Sequence, residues 1–183
     1  HLMSTVYGCM VAVLGYFILK RVQFSSFLAF ILALIFCMHP IHIEAITYIA
    51  GRGDILYMFF CLSSFFLFIR NKLSFSIMAG VILLIVLALI TKENSVSFPL
   101  VLCMYAWFFG TFRHKVLSGT LLFVSGGYAL FRLLTPASTE VLSWIGHSSL
   151  YERICTLPYL VCEYIKLIFF PAPLHMEYHT VIT

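Results

Sequence analysis

Charged side chains are missing from long stretches of this chain. Asp, Glu, Lys and Arg together make up 10% of the 183 residues, and only seven of them are acids. An ordinary soluble domain carries about 25% charged residues. With 62% hydrophobic residues and a mean hydropathy of +1.05, too little polar surface exists to cover a water-soluble fold. Cysteine is present six times, but no two form a CxxC pair, so neither a disulfide framework nor a thiolate metal site is supported. No GxxxxGK[ST] loop, no GxGxxG turn after a strand and no HExxH helix occurs, which removes the common nucleotide-binding and zinc-hydrolase motifs. A cleavable signal, with a basic leader and a small-residue cleavage site, is also missing. The chain opens at His1 without an initiator Met, directly in an apolar run. It is expected to be an internal piece of a longer protein.

What is present is a series of long apolar runs. Six read as membrane-spanning helices: Leu2–Leu19, Val22–Met38, Ile55–Ile69, Leu73–Ile90, Val96–Gly110 and Val116–Leu134. Barrel strands would alternate over roughly 10 residues, whereas these runs are continuous. A spanning helix needs about 20 residues, so the shorter runs must borrow polar flanks or thin the bilayer locally. A seventh segment, Ile154–Phe170, carries Glu163 and Lys166 in its middle, three apart and able to pair on one helical face. It either spans or lies along the interface. Aromatic residues reach 17%, with Tyr expected near the interfaces. The fold class is therefore all-α, a partial polytopic transmembrane helix bundle.

Charge asymmetry orients the bundle. Lys20, Arg21, Arg70, Lys72, Arg113 and Lys115 follow alternate spans, and no acid accompanies them. All seven acids fall in the other connections and the tail, with Arg52, Lys92, Arg132, Arg153 and Lys166. The positive-inside rule places the first group in the cytoplasm. The mixed connections then face the periplasm or an organelle lumen, in a bacterial inner membrane or the endoplasmic reticulum. The net charge of +4 is explained by topology and needs no nucleic-acid partner.

The densest chemistry lies in His39–Asp54, HPIHIEAITYIAGRGD, between the second and third spans. Ionisable groups at a membrane boundary suggest function. Pro40 ends the second span, because the residue before a proline avoids the helical region. Ile43, Ile46 and Ile49 share one helical face and Glu44, Tyr48 and Arg52 another, as in a short helix lying in the interface. Gly51 and Gly53 would break it, and Asp54 would cap the third span. Each residue also has a plainer reading: Asp54 as a cap alone, Arg52 reaching for lipid headgroups, His39 as an interface residue, Glu44 as the partner of Arg52. His39, His42 and Glu44 have the right atoms for a divalent metal, but their spacing matches no zinc pattern. No cofactor is required by the sequence, and a divalent metal stays open. Two further clusters join this one. Lys92-Glu93-Asn94 is either an ordinary polar turn or a phosphate-binding cation oriented by Glu93. Arg132 and Arg153 add cations able to complete a phosphate or diphosphate cradle.

His39–Arg70, HPIHIEAITYIAGRGDILYMFFCLSSFFLFIR, resembles the HPxHxEAVxxIxGRxDLLxxxFFLLxxxxY segment of the transmembrane and tetratricopeptide-repeat family. His1–Arg21 is similar to that family's HLxNxLLHxxxxxLxxxLxR helix, and Thr91–Tyr105, TKENSVSFPLVLCMY, to its KExGxxxPxxLxxY helix. Tyr151–Tyr178 follows an RxLTxxYLxxxxxLLLxPxxLxxDW pattern loosely, with Glu177 and Tyr178 in place of Asp and Trp. The resemblance, which extends to bacterial membrane proteins, implies a glycosyltransferase of the GT-C architecture associated with protein O-mannosylation. Such an enzyme transfers a sugar from a polyprenyl-phosphate donor to a protein or glycan acceptor at the outer or lumenal face, within the membrane lipids. The implied roles are catalysis or orientation for Glu44, His39 and His42, phosphate binding for Arg52, Lys92, Arg132 and Arg153, and orientation for Asp54 and Glu93. The family's usual base lies in a first outer loop expected to precede His1, and its repeat tail is expected beyond Thr183, so activity of this piece alone is not expected. Three other classes compete: a transporter or flippase of an anionic lipid or solute, a metal-dependent membrane hydrolase using His39, His42 and Glu44, and a structural subunit. A transporter would place charges within spans and show inverted repeats, which this sequence lacks.

The charge split makes a direct prediction. Single cysteines at positions 42 and 92, in a background without native cysteines, should react with an impermeant thiol reagent added outside. Those at 23 and 71 should react only after permeabilisation. Outside labelling at 71 but not at 92 would invert the assignment.

Overall fold

A computed structural model describes residues 2–42, 51–70, 72–135 and 150–170. Glu44 and the rest of 43–50 lie outside them, as does the expected interfacial helix. Among the described residues the regular structure is entirely helical. The helices are α1 (Leu2–Arg21), α2 (Ser26–Met38), α3 (Arg52–Phe68), α4 (Phe75–Thr91), α5 (Phe98–Phe109), α6 (Phe112–Leu134) and α7 (Leu150–Phe169). Short 3-10 turns cover Pro40–His42 and Glu93–Ser97. The chain forms two compact units, residues 1–134 and 135–183.

Local chemistry sets the boundaries, and several differ from the hydropathy reading. The second helix begins at Ser26 rather than Val22. Gln23 takes a positive φ of 75° in the connecting turn, and the Ser25 side chain accepts a hydrogen bond from Leu28 N–H at 3.3 Å. Ser74 caps α4 in the same way through Ile77 N–H. The fifth apolar run divides into a 3-10 turn and a helix whose second residue is Pro99, a position where its missing N–H costs nothing. The largest correction concerns α3. It starts at Arg52, so Gly53 lies inside it and Asp54 is its third residue, not its cap. Gly51 holds the cap position and makes no side-chain bond there. The Asp54 carboxylate still lies in the first turn, where the helix dipole favours it.

In the first unit α1 packs on α2 and α3, α3 on α4, and α5 on α6. The core is built from Phe68, Val81, Ile85, Leu102, Leu117 and Leu121, one or two from each of α3 to α6. Tyr105 meets Phe65 edge-on, with ring centroids 5.5 Å apart. One end of this unit carries only cations. There the Arg21 guanidinium lies over the Phe66 ring at 5.3 Å, and Lys115 over Trp107 at 5.6 Å. Arg113 donates to the Leu73 carbonyl at 3.0 Å. The buried His114 ring accepts from Thr111 N–H at Nδ1, which leaves Nε2 to donate to the Arg70 carbonyl at 3.1 Å. These bonds fasten the α3–α4 connection to the start of α6.

The first unit buries several serines and exposes many large apolar side chains. Ser4, Ser64, Ser118 and Ser125 are buried, and the last three bond back to carbonyls of the preceding turn. Phe27, Phe75, Trp107, Phe112 and Phe123 are each at least three-quarters exposed. Among the described residues one helix, Leu2–Arg21, is by itself long and apolar enough to cross a membrane; Ser26–Met38 and Phe75–Thr91 are shorter apolar helices. In the second unit, α7 begins four residues before the expected segment. It contains Pro158, which cannot donate to the Ile154 carbonyl. Glu163 and Lys166 pair along it at 3.6 Å, as their spacing suggested.

Gly110 separates α5 from α6. Its φ of −86° suits any residue, but an added Cβ would lie 2.6 Å from the Ala106 backbone and 2.8 Å from the His114 Cβ. Gly110→Ala should therefore destabilise the protein by about 1–3 kcal/mol, the usual cost of overpacking. Gly127→Ala, where nothing lies within 4 Å, should be neutral or stabilising. Thermal unfolding in detergent reads both, and equal melting temperatures would refute the close-contact explanation.

Candidate functional site

The candidate site forms at the end of the first unit opposite the all-cationic one. Two ion pairs link its elements. The Lys92 ammonium, at the C-cap of α4, pairs with the Asp54 carboxylate in the first turn of α3. Both side chains are about one-third exposed. Each charge also sits at the helix end whose dipole favours it. Arg132, near the end of α6, donates from Nε to Glu93 Oε2 at 3.0 Å. That pair is well exposed, and in water such pairs contribute up to about 1 kcal/mol. The Lys92 carbonyl accepts from Ser95 Oγ at 2.8 Å, which fixes the turn between the two pairs. Glu93 thus orients Arg132 rather than Lys92.

The two histidines follow α2. His39 closes the helix with an extended ψ of 127°, and His42 N–H returns to the His39 carbonyl at 3.1 Å. Their rings lie 6.1 Å apart edge-on, and His42 packs on Phe36 at 4.3 Å. Burial against Phe36 and its neighbours pushes the His42 pKa below the ordinary histidine value, and His39 adds to the shift by repulsion. His42 is therefore a neutral acceptor or donor near neutral pH.

His42, Asp54, Tyr57 and Thr5 share one cavity of about 400 Å³ between α1, α2 and α3. Its remaining wall is mostly apolar, with Val11, Phe36, Ile55 and Met58. A few convergent polar groups on an apolar wall, at this volume, are typical of a small-molecule site. The carboxylate, imidazole and two hydroxyls can accept and donate hydrogen bonds to hydroxyl groups. The Lys92 ammonium, paired with Asp54, brings a cation next to the cavity.

The structure brings together five of the sequence-predicted residues: Asp54 with Lys92, Glu93 with Arg132, and His42 across the cavity from Asp54. Arg52 is exposed at the start of α3. Glu44 lies outside the described residues; Arg153 is in α7, but its side chain is not described. The proposed metal set is incomplete without Glu44, and among the described residues no three His, Cys, Asp or Glu side chains gather to hold a metal. Tyr57 and Thr5 were missed. Tyr57 lies three residues after Asp54 and so on the same helical face, a signal the sequence did contain. Thr5 carries no local signal, since only the packing of α1 on α3 brings it there.

The site is amphipathic and lies at the helix ends of an apolar helical unit. The chain is similar to proteins named as protein O-mannosyl-transferases. It is 28% identical over 142 residues to mouse TMTC3, covering 75% of this chain and 14% of that protein. It is 31% identical over 78 residues to F38B6.6 of Caenorhabditis elegans, covering 42% and 11%. It is 39% identical over 72 residues to human TMTC1, covering 39% and 8%. The chain thus spans about one-seventh of the length of the TMTC3 protein or less of the others. No family model and no solved structure matches it.

The lowered His42 pKa sets the sign of a pH effect. An unfolded chain protonates this histidine near about 6.5, while the folded protein resists. Stability from this residue is therefore complete above that pH and falls as pH drops toward the folded pKa. Melting curves from pH 8 to 5 should show a larger loss for the native protein than for His42→Gln. Parallel curves would show that His42 does not feel the cavity.

Proposed function

We propose that this chain is the membrane-embedded part of a glycosyltransferase that moves a sugar from a polyprenyl-phosphate donor, with protein O-mannosylation as the parent activity. The observation that carries the reading is the cavity shared by His42, Asp54 and Tyr57, with the Lys92 cation paired to Asp54. It lies in the His39–Arg70 segment that resembles the transmembrane and tetratricopeptide-repeat family. The similarity to proteins named O-mannosyl-transferases supports the same chemistry.

A bilayer setting is part of the proposal. Lengths of about 26 Å for α3 and α4 follow from 17 residues each at 1.5 Å per residue. Helix α5 alone is about 18 Å long. With the five-residue 3-10 turn before it, which adds about 10 Å, it approaches the hydrocarbon thickness of about 30 Å. Exposed Phe and Trp faces and internally bonded serines fit lipid as the surrounding solvent. The cationic end then faces the cytoplasm and the cavity faces the lumen or periplasm.

In this reading Lys92 and Arg52 stabilise charge on the departing phosphate, worth most in a low-dielectric site. Asp54 and the neutral His42 bind or deprotonate hydroxyls at the sugar or acceptor. Glu44 assists as a further carboxylate. Sugar transfer from polyprenyl-phosphate mannose by the purified, monodisperse full-length protein tests this. Asp54→Asn and Glu44→Gln should each lower the rate by about 100- to 1000-fold, as losing one transition-state contact does. Arg52→Lys should fail to restore activity, because it lacks the planar fork that grips phosphate. Native rates in all three variants would remove this end of the bundle from the reaction.

A further inference from the structure

The all-cationic end of the first unit takes no part in the candidate site. Lys20, Arg21, Arg70, Lys72, Arg113 and Lys115 meet there, while the acids described in this unit, Asp54 and Glu93, are both at the opposite end. Four of the six bases have uncharged partners. Lys20 donates to Ser26 Oγ at 2.7 Å, Arg21 lies on the Phe66 ring, Arg113 donates to the Leu73 carbonyl and Lys115 lies on the Trp107 ring. Lys72 is exposed, and water can solvate it. Arg70 differs. It is half-buried, and its Nε meets no hydrogen-bond acceptor among the described residues. A guanidinium cannot shed its proton, so a positive charge that water only partly solvates is fixed at this surface.

The backbone explains how the bases converge. His114 Nε2 donates to the Arg70 carbonyl at 3.1 Å, and Arg113 donates to the Leu73 carbonyl at 3.0 Å. The start of α6 is thereby fastened along the segment that follows Arg70, and the Arg70 and Arg113 side chains rise from adjoining backbone. Arg113 and Lys115 also lie in the first turn of α6, where the helix dipole is itself positive and favours an anion. Aromatic side chains border the same rim. Phe75 begins α4, Trp107 and Phe109 end α5 and Phe112 begins α6, and each is at least three-quarters exposed.

We infer that this end of the unit recognises acidic phospholipid, its phosphate held over Arg70, Lys72 and Arg113 and its acyl chains against the exposed rings of Phe75 and Phe112. The charge of the patch calls for an anion, because no carboxylate among the described residues of the unit offsets it. The aromatic border decides which anion. An acidic protein segment would complement the bases and leave the rings without a partner, whereas a lipid brings an anionic head and an apolar tail in one molecule. Aromatic residues beside bases are also the arrangement found at membrane interfaces. The inference rests on the bilayer setting in the proposed function and is independent of sugar transfer.

The test is equilibrium binding of phosphatidylglycerol to the purified full-length protein in a neutral detergent, read by native mass spectrometry. Phosphatidylcholine of the same chain length, inorganic phosphate and a polyglutamate peptide serve as comparisons. Phosphatidylglycerol should bind at least about fivefold more tightly than phosphatidylcholine, the scale of one cation near an anionic lipid surface. Arg70→Gln and Lys72→Gln should each weaken it by about the same factor. Arg52→Gln, which removes an equal charge at the opposite end, should leave it unchanged. If Arg70→Gln does not fold, Lys72→Gln, at an exposed position, carries the test. Equal affinity for the two lipids, or equal weakening by Arg52→Gln and Lys72→Gln, would overturn the assignment. So would phosphate or polyglutamate binding as tightly as the lipid, the latter pointing to an acidic protein partner instead. Selective lipid binding without any sugar transfer would keep the assignment and reject the transferase reading. A full-length protein that stays monodisperse without detergent would reject the bilayer setting and this inference with it.

Discussion

The pairing of Asp54 with Lys92 is the contact on which the arrangement of the site depends. It joins the beginning of α3 to the end of α4, two helices that also share the largest interface in the unit. Coulomb energy alone would make it a modest contact at one-third exposure. Its consequence is positional. With Asp54 held toward Lys92 in the first turn of α3, Tyr57 follows on the same face and both reach the cavity lined by His42. The opposite end has an equivalent tie of a different kind. There His114 and Arg113 hold the carbonyls of the α3–α4 connection, and cations rest on aromatic rings.

Surrounding solvent decides how the rest is held. In water, fully burying a side chain such as Phe68 or Leu121 would contribute roughly 1.5–3 kcal/mol. In lipid that transfer term largely vanishes, and close packing with internal hydrogen bonds must replace it. The first unit shows both substitutes. Ser64, Ser118 and Ser125 face inward and satisfy themselves on their own helices. Gly110 allows the backbone of α5 to meet α6 without a side chain between them. Small residues also line the space between α1 and α2, Gly8 at one cavity and Ala12 and Ala33 at the other.

The helices were legible because continuous apolar runs admit few alternatives. Their ends were less so, since hydropathy does not see capping. Val22 is as apolar as the residues that follow, yet the Ser25 cap starts α2 at Ser26. Two glycines around Arg52 suggested a break, but Gly51 alone lies outside α3. At the site, the chemistry-bearing residues were visible as a cluster, whereas their partners were not. Neighbouring residues in sequence, Lys92 and Glu93, pair with different helices: Asp54 lies 38 residues away and Arg132 lies 39 away. Spacing within one segment cannot reveal such pairings. Thr5 shows the same limit, because it joins the cavity only through the packing of α1 on α3.

A polar cluster at the end of an apolar bundle has two broad uses, passage of a solute or chemistry on a lipid-borne one. Passage needs a polar route through the bundle. Here the core between α3 and α6 is closed by Phe68, Leu102, Leu117 and Leu121, all fully buried. A second, almost wholly apolar cavity lies between α1 and α2 and shares Cys37 with the polar one. A hydrated ion or sugar gains nothing from such a wall, while a lipid chain does.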